Sequence, residues 1–398
     1  MPKFASSLSG MRTSEIRNLM SVVSKPGMIS FAGGMPDNDL FPVKVIDDIY
    51  NNLSLKEKQT AMQYGPTSGL PILLESVGAY LEKKGLPVSE NRLMITTGSL
   101  QGINILGKTF IDPGDDVIVE QPCFIGAIAA FKSYQANFVT VPLNADGINV
   151  DILKKKLKTV KPKLIYITPS FHNPAGTLYS AETKLKLIEA ISGMNIPLIE
   201  DDSYSPLYFY EEDKEHLKNI KAINPAGIDV CYLGSFSKIL GPGLRLGWML
   251  VPQHIYERAE LIKQSFDACS PSFTQVLADK FLRTGAVYSY IDEVRQEYKK
   301  RALAMVDAIQ KHFPSYTSWS TPRGGFYVWV QLPENADATE ILKKGIDKGV
   351  VIVTGKTFDP EGVINNCIRI SYCNTSVEKI NTGIPLIAEA IRECLNHD

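Results

Sequence analysis

The chain has 398 residues, of which 44% are hydrophobic, and its 42 basic and 43 acidic residues leave a formal net charge of −1. This is the composition of an ordinary globular protein, long enough for a large folded unit and a smaller one. The balanced charge gives no basic surface for nucleic acid, so no nucleic-acid partner is expected. No apolar run approaches 18 residues, so a membrane-spanning helix and a membrane partner are not expected either.

The cysteines, the histidines and the N-terminus bear on metal binding and on cellular location. The six cysteines and five histidines are scattered, without a CxxC or HExxH motif, so no metal site is predicted. The N-terminus lacks a long apolar stretch of the signal-peptide type. We therefore expect a cytoplasmic protein with free thiols.

The first predicted elements are short. Apolar spacing predicts a helix near residues 12–24, which contains Arg17, and then a short strand that breaks just before Gly34. A loop over residues 63–71 contains Tyr64 and leads into another helix. None of these elements indicates a function by itself.

Residues 93–99 read as a strand that turns into a helix over residues 100–110. The turn carries Ser99, and the helix begins at about Leu100. A free helix N-terminus offers unpaired N–H groups and a favourable dipole to an anion such as a phosphate. The pattern is common in α/β proteins, so alone it permits an anion site and no more.

Strands and helices then alternate. Strands are predicted over 116–120, 138–142, 164–168, 196–200, 230–234 and 246–251, and helices over 124–134, 151–159 and 181–193. This alternation is typical of βαβ units. We therefore expect an α/β protein whose large domain has a mainly parallel seven-stranded sheet flanked by helices.

The pattern changes after a long predicted helix over residues 286–311. Strands are predicted over 326–332, 351–353 and 368–371, and helices over 338–348 and 376–394. This mixture is typical of a small α+β domain. The predicted division is an N-terminal arm and part of the small domain (1–40), a large domain (41–285) and a small C-terminal α+β domain (286–398).

Three of the predicted strands end in polar residues. In open α/β sheets ligands bind beyond the carboxyl ends of the strands. A lysine at that edge can lose its proton when desolvated and act as a Schiff-base amine. Each polar ending alone is an ordinary turn, cap or loop, but three in succession predict a site. The residues are Asn173 after 164–168, Asp201 and Tyr204 after 196–200, and Ser235, Ser237 and Lys238 after 230–234.

In order and spacing, these residues resemble the fold-type I aminotransferases of class I and II, which use pyridoxal 5′-phosphate. The segments at 33–36 and 63–66 resemble the branch that acts on aminoadipate, kynurenine and other aromatic or long-chain amino acids. The likeness runs from about residue 17 to residue 369. The motifs that carry it are Asn173-Pro174-Ala175-Gly176, Asp201-x-x-Tyr204, Ser235-x-Ser237-Lys238 with Arg245, and Arg369.

The resemblance implies roles around the cofactor ring. Lys238 would hold the cofactor as an internal aldimine and later carry the proton between the substrate Cα and the cofactor. Asp201 would face the pyridine nitrogen and keep it protonated. Tyr204 and Asn173 would bond to the phenolic oxygen, and Phe124 would stack on the ring.

The resemblance also implies how the phosphate is bound. It would lie at the N-terminus of the helix that follows Ser99, held by the N–H groups of Ser99 and Leu100, by Ser235 and Ser237, and by Arg245. Arginine suits this position because its planar fork binds phosphate oxygens in pairs.

Substrate and subunit contacts follow from the same resemblance. Arg369 would bind the substrate α-carboxylate, with Asn173 and the backbone near Gly34. Arg17 would contact the substrate side chain. Tyr64 would reach the phosphate from a second subunit, which implies a homodimer with shared active sites.

The implied activity is transfer of an amino group between an L-amino acid (aromatic, aminoadipate-like or branched) and a 2-oxo acid such as 2-oxoglutarate, by a ping-pong mechanism. Two alternatives remain open at this point. One is a β-lyase on the same scaffold. The other is a cofactor-sensing transcriptional regulator domain, which is disfavoured because the sequence has neither room before residue 33 nor the basic charge for a DNA-binding module.

Overall fold

The structure, a computed structural model, describes residues 3–8, 11 and 15–395, without the side chains of residues 16–18 and 20. The strands are β1 (Ile29–Ser30), β2 (Arg92–Thr96), β3 (Asp116–Gln121), β4 (Asn137–Asn144), β5 (Gly147–Ile148), β6 (Leu164–Ile167), β7 (Leu198–Asp202), β8 (Val230–Ser235), β9 (Gly247–Val251), β10 (Ser318–Trp319), β11 (Tyr327–Gln331), β12 (Val350–Val351), β13 (Val353–Thr354) and β14 (Cys367–Ser371). The helices are α1 (Glu15–Val23), α2 (Val43–Asn51), α3 (Leu55–Met62), α4 (Pro71–Lys83), α5 (Ser99–Phe110), α6 (Ile125–Ser133), α7 (Val150–Lys156), α8 (Ala181–Ile191), α9 (Ile220–Ile223), α10 (Gln253–Asp267), α11 (Ser272–Arg283), α12 (Ala286–His312), α13 (Ala338–Asp347) and α14 (Val377–Leu395). Among the described helices, none combines the length and the apolarity needed to cross a bilayer.

The large sheet has the order β2-β9-β8-β7-β6-β3-β4-β5. Strands β8, β7, β6, β3 and β4 run parallel, and β9 runs antiparallel to both of its neighbours. The predicted α/β class and mainly parallel sheet are confirmed. The described sheet has eight strands instead of seven, because β5 adds a two-residue edge strand that is too short to show an alternating pattern.

The sheet is buried on both faces, as parallel sheets are. On β3, Val117 and Val119 pack into a core with α5, α6 and α10, whereas Ile118 between them packs into a core with α7 and α8. Successive side chains of a strand point to opposite faces. Strand β7 therefore directs Asp201 to the α5 face of the sheet and Asp202 to the α8 face.

A smaller antiparallel sheet has the order β10-β11-β14-β13, and β1 pairs in parallel with β12. The single strand predicted over 351–353 is in fact two short strands, because Val351 pairs with Ser30 of β1 while Val353 pairs with Arg369 of β14. The pairing of β1 with β12 connects the N-terminal segment of the chain to the C-terminal part. The predicted division into residues 1–40, 41–285 and 286–398 stays a prediction.

Candidate active site

The carboxyl ends of β6, β7 and β8 meet at one edge of the sheet, because these three strands are neighbours and parallel. A cavity of about 340 Å³ lies at this edge. Its lining includes polar groups from all three strand ends and from β14 of the small sheet. The predicted site residues in the lining are Gly34, Ser99, Leu100, Phe124, Asn173, Asp201, Tyr204, Ser235, Ser237, Lys238, Arg245 and Arg369.

Lys238 ends the short 3₁₀ turn that follows β8. Its Nζ donates a hydrogen bond of 2.9 Å to the backbone carbonyl of Gly34 and lies 5.1 Å from the ring centroid of Phe326. Burial lowers the pKa of the Lys238 amine to about 8. At a given pH, a larger fraction of this amine is therefore neutral and nucleophilic than for a surface lysine.

Asp201, on β7, is 3% exposed. The hydroxyl of Tyr166 donates to its Oδ2 over 2.8 Å, and the hydroxyl of Ser203 donates to its Oδ1 over 3.1 Å. Both donors are neutral, and burial raises the pKa of Asp201 to about 6. A buried carboxylate with no cation among its described partners suits a ligand that brings a positive charge, such as a protonated ring nitrogen.

Tyr204 and Tyr327 form a pair of buried tyrosines at the same cavity. Their hydroxyl oxygens lie 3.1 Å apart, and the two rings meet edge to face with centroids 6.0 Å apart. Burial raises the pKa of Tyr204 well above its ordinary value, so its hydroxyl stays protonated as a donor. A Cβ at Gly34 would collide with the Tyr327 hydroxyl, so glycine is what allows the backbone to approach here.

The start of α5 also lines the cavity. Gly98 precedes Ser99 with a φ of +82°, and a Cβ on Gly98 would lie 2.9 Å from Nη2 of Arg245. The same Nη2 donates to the carbonyl of Thr97 over 3.3 Å. Among the described residues, no carboxylate pairs with Arg245. A free helix N-terminus beside an unpaired guanidinium is a donor set that fits a phosphate.

Arg369 on β14 is 1% exposed. Its Nη1 donates to Oδ1 of Asn173 over 2.9 Å, and its Nη2 donates to the carbonyl of Ala32. The guanidinium lies 4.4 Å from the ring centroid of Tyr327 and 4.7 Å from that of Phe358. Its Nε has no partner, and no described carboxylate pairs with it. A buried, uncompensated cation in a cavity is a site for an anionic ligand group.

Two predicted site residues are not among the described residues that line this cavity. Tyr64 lies outside it and is 86% exposed, so its predicted approach from a second subunit stays a prediction. Arg17 belongs to α1, but its side chain lies outside the described residues.

Sequence reasoning missed two tyrosines of the site. Tyr166 holds Asp201, and Tyr327 contacts both Tyr204 and Arg369. A signal existed for the first: Tyr166 and Thr168 are polar residues two apart in an otherwise apolar run, and their hydroxyls lie 3.4 Å apart. No comparable signal marks Tyr327, which reads as an ordinary strand residue.

Three properties of this site fit pyridoxal 5′-phosphate. The cavity has an amine of lowered pKa, a buried carboxylate without a cation, and an anion cradle at a helix N-terminus. These groups match the aldehyde, the ring nitrogen and the phosphate of that cofactor.

Comparison with known proteins agrees with this chemistry. The family Aminotransferase class I and II matches residues 26–386. Aromatic-amino-acid aminotransferase 1 of Thermococcus litoralis is 37% identical over 98% of this chain and 94% of its own length, and 2-aminoadipate transaminase of Thermus thermophilus is 32% identical over 98% and 97%. A crystal structure of Pyrococcus horikoshii kynurenine aminotransferase in complex with PMP superposes with a TM-score of 0.94 at 37% identity, over 98% of this chain and 97% of its own. The chain therefore belongs to the class I and II aminotransferases, enzymes of fold type I that exchange amino groups between amino acids and 2-oxo acids with pyridoxal 5′-phosphate as cofactor.

Proposed function

We propose that this aminotransferase moves the amino group of an aromatic, aminoadipate-like or branched L-amino acid to a 2-oxo acid such as 2-oxoglutarate, in two half-reactions. The observation that carries the proposal is Arg369, a buried guanidinium without a described carboxylate partner in the same cavity as Lys238. An α-carboxylate is common to amino acids and 2-oxo acids, and a planar guanidinium binds it in a bidentate pair. One site can therefore receive both substrates in turn.

The reacting groups are assigned to three strand ends. When bound, pyridoxal 5′-phosphate supplies an electron-withdrawing ring that stabilises negative charge at the substrate Cα. Asp201 would keep the ring nitrogen protonated, because a carboxylate at contact distance favours the cation. Lys238 would hold the cofactor through Nζ and, once released, accept the proton from the substrate Cα. Tyr204 and Asn173 would bind the phenolic oxygen of the ring.

The phosphate is assigned to the other end of the cavity. The free N–H groups at the start of α5 and the dipole of that helix favour an anion there. Phe124, which precedes α6 in the lining, would stack on the ring. The proposed phosphate ligands are Ser99, Leu100, Ser235, Ser237 and Arg245.

We further propose a homodimer in which Tyr64 of each subunit completes the phosphate site of the other. Leu55, Met62 and Tyr64 are exposed in and after α3, and the exposed rings of Tyr50 and Phe273 pack together on the adjacent helices with centroids 5.9 Å apart. Exposed apolar side chains on neighbouring helices support a protein contact here. A mixture of Tyr64→Ala and Lys238→Ala subunits would test this, because a mixed dimer has one site with both native residues. Recovery of activity on mixing supports shared sites, and no recovery in verified mixed dimers contradicts them.

The substrate side chain and the cellular location complete the proposal. The relatives named for aromatic amino acids, 2-aminoadipate and kynurenine support this substrate class. Arg17 remains the proposed contact for the side chain. All six cysteines are free, which supports a reducing, cytoplasmic location.

A panel of amino donors with 2-oxoglutarate or pyruvate tests the function. Each donor alone should convert the absorbance of the bound cofactor in a single turnover, and each 2-oxo acid should then restore it. Lys238→Ala is the control that should give neither change. Conversion by aromatic and aminoadipate-like donors supports the proposal. A lyase would instead release an elimination product, and the absorbance of its bound cofactor would return to the starting value without any 2-oxo acid.

A further inference from the structure

A second cavity, of about 550 Å³, lies away from the active site, and the two cavities share no lining residue. Its walls come from α4, from the segment after β7 and from the N-terminal half of α12. It is larger than the active-site cavity and has the size of a small-molecule site. The lining residues are Tyr80, Lys83, Lys84, Ser205, Pro206, Tyr208, Lys214, Leu217, Lys218, Tyr288, Ile291, Asp292 and Arg295.

The lining carries five cationic side chains and, among its described residues, one carboxylate, that of Asp292. Asp292 pairs with Arg295 over 3.0 Å. Lys214 and Lys218 pair with glutamates that are outside the lining. Lys83 forms no described salt bridge, and its Nζ lies 5.0 Å over the ring centroid of Tyr288. The cavity therefore has an excess of positive charge, with Lys83 uncompensated.

The cavity also offers aromatic faces. Tyr80 and Tyr288 lie with ring centroids 6.5 Å apart at an interplanar angle of 32°. In the same lining, the guanidinium of Arg295 stacks on the ring of Tyr208 at 3.9 Å from its centroid. Tyrosine rings and guanidinium planes bind flat aromatic groups by stacking, and the nearby cations favour an anion.

One cation of the lining, Lys84, is held by hydrogen bonds to neighbouring side chains. Nζ of Lys84 donates to Oδ2 of Asp202 over 2.9 Å and to Oγ of Ser205 over 3.0 Å. Asp202 is buried on the α8 face of β7, one residue from Asp201. The lysine is thus fixed in place by buried partners, and its geometry does not depend on a bound ligand.

We propose that this second cavity binds a planar aromatic ring that carries an anionic group, either a carboxylate or a phosphate monoester. The ring would stack against Tyr288 and its neighbours, and the anion would meet Lys83. This site is independent of the amino-acid and cofactor sites, so it can be tested in the intact holoenzyme without turnover.

Two probes distinguish the two anions: indole-3-carboxylate for the carboxylate and adenosine 5′-monophosphate for the phosphate. Binding to the holoenzyme is measured by titration calorimetry for the native chain and for Lys83→Glu, Tyr288→Ala and Lys379→Glu. Lys379 is an exposed lysine of α14 outside the cavity and serves as the matched control. Cofactor absorbance and circular dichroism verify that each variant is folded.

We expect at least one probe to bind. Lys83→Glu should weaken its binding by about tenfold or more through loss of a charge-assisted contact, and Tyr288→Ala should do the same through loss of a stacking contact. Lys379→Glu should leave the affinity unchanged, and adenosine should bind more weakly than its monophosphate. The preferred probe identifies the anion. Absence of binding by both probes overturns the proposal, and so does an affinity that Lys83→Glu and Tyr288→Ala leave unchanged, since the probe then binds elsewhere.

Discussion

The hydroxyl of Tyr166 on β6 donates a hydrogen bond of 2.8 Å to Oδ2 of Asp201 on the neighbouring strand β7. Burial raises the pKa of Asp201, and this donor opposes the rise. Tyr166→Phe should therefore raise the pKa of Asp201 further. Because the proposed role needs the ionised carboxylate, the acid limb of the kcat profile should move to higher pH, with kcat at neutral pH lower by about tenfold, the worth of a hydrogen bond to a charge.

Tyr179→Phe is the matched control for that variant. Tyr179 is also buried, and its hydroxyl donates over 2.6 Å to a carboxylate, that of Glu120, but neither residue lines the active-site cavity. The control should leave the pH profile in place. Equal profiles for Tyr166→Phe and Tyr179→Phe would contradict the positioning role of Tyr166.

Asp201 and Asp202 should respond to neutralisation with opposite signs. Burial raises the pKa of Asp201 from 3.8 to about 6, so in the cofactor-free enzyme its ionisation opposes folding above pH 6. Asp201→Asn should then stabilise the cofactor-free enzyme by about 3 kcal/mol at pH 7.5. The gain should shrink as the pH falls from about 6 through the ordinary value of 3.8, and it should vanish below about pH 3, where the carboxyl group is protonated in both states. Turnover should be largely lost.

Asp202 provides the comparison. Burial alone would raise its pKa, but Lys84, Ser205 and Asn219 lower the pKa of Asp202 to about 2. Its ionised form therefore supports folding above pH 4 and loses that effect as the pH falls toward 2. Asp202→Asn should destabilise the enzyme at pH 7.5, as measured by urea unfolding. Destabilisation by both variants at pH 7.5 would refute the assignment for Asp201.

Lys238 should capture the cofactor with a distinctive pH dependence. Only the neutral amine reacts with an aldehyde, and burial lowers the pKa of Lys238 to about 8. The rate at which the cofactor-free enzyme takes up pyridoxal 5′-phosphate should rise with pH and level off above about 8. Stopped-flow absorbance measures it, with Lys238→Ala as the blank. A rate that still climbs steeply toward the ordinary lysine value of 10.5 would show that the amine is solvated.

Gly98→Ala should weaken cofactor binding. The residue has a φ of +82°, and a Cβ there would press on Nη2 of Arg245, so this arginine of the proposed phosphate site would have to shift. We expect about a tenfold loss in affinity for pyridoxal 5′-phosphate, the effect of about 1.4 kcal/mol. Gly243→Ala is the control, because nothing lies within 4 Å of its added Cβ. Equal affinities in the two variants would argue against the cradle.

Arg369→Ala should raise KM for the amino acid and for the 2-oxo acid alike, since both lose the same carboxylate contact. The rise should be about tenfold to a hundredfold, as for loss of a charge-assisted pair. Cofactor absorbance should be retained. Steady-state kinetics with both substrates decide the matter, and a defect confined to one substrate would mean that Arg369 does not hold the shared group.

Much of this architecture was predictable from local signals. Alternating apolar runs and turns predicted the strands that place Asp201 and Lys238 at one edge, because parallel neighbours end together. The spacing of Tyr166 and Thr168 marks Tyr166 as unusual but does not show which face of β6 it takes, and nothing in the sequence marks Tyr327. A strand buried on both faces is apolar throughout, so its sequence does not show which face a tyrosine takes. The division of residues 350–354 between two sheets depends on partners distant in the chain.

Successive side chains of β7 point to opposite faces of the sheet, so the register of β7 with β6 and β8 decides which aspartate lines the active-site cavity. Asp201 lies opposite Leu233 and Asp202 opposite Gly234. A slip of one residue would turn Asp202 toward the active-site cavity and Asp201 toward Lys84. The chain would still have both carboxylates, but the carboxylate of Asp201 would no longer line the active-site cavity. Insertions or deletions in β7 should therefore be as damaging as removal of the Asp201 carboxylate.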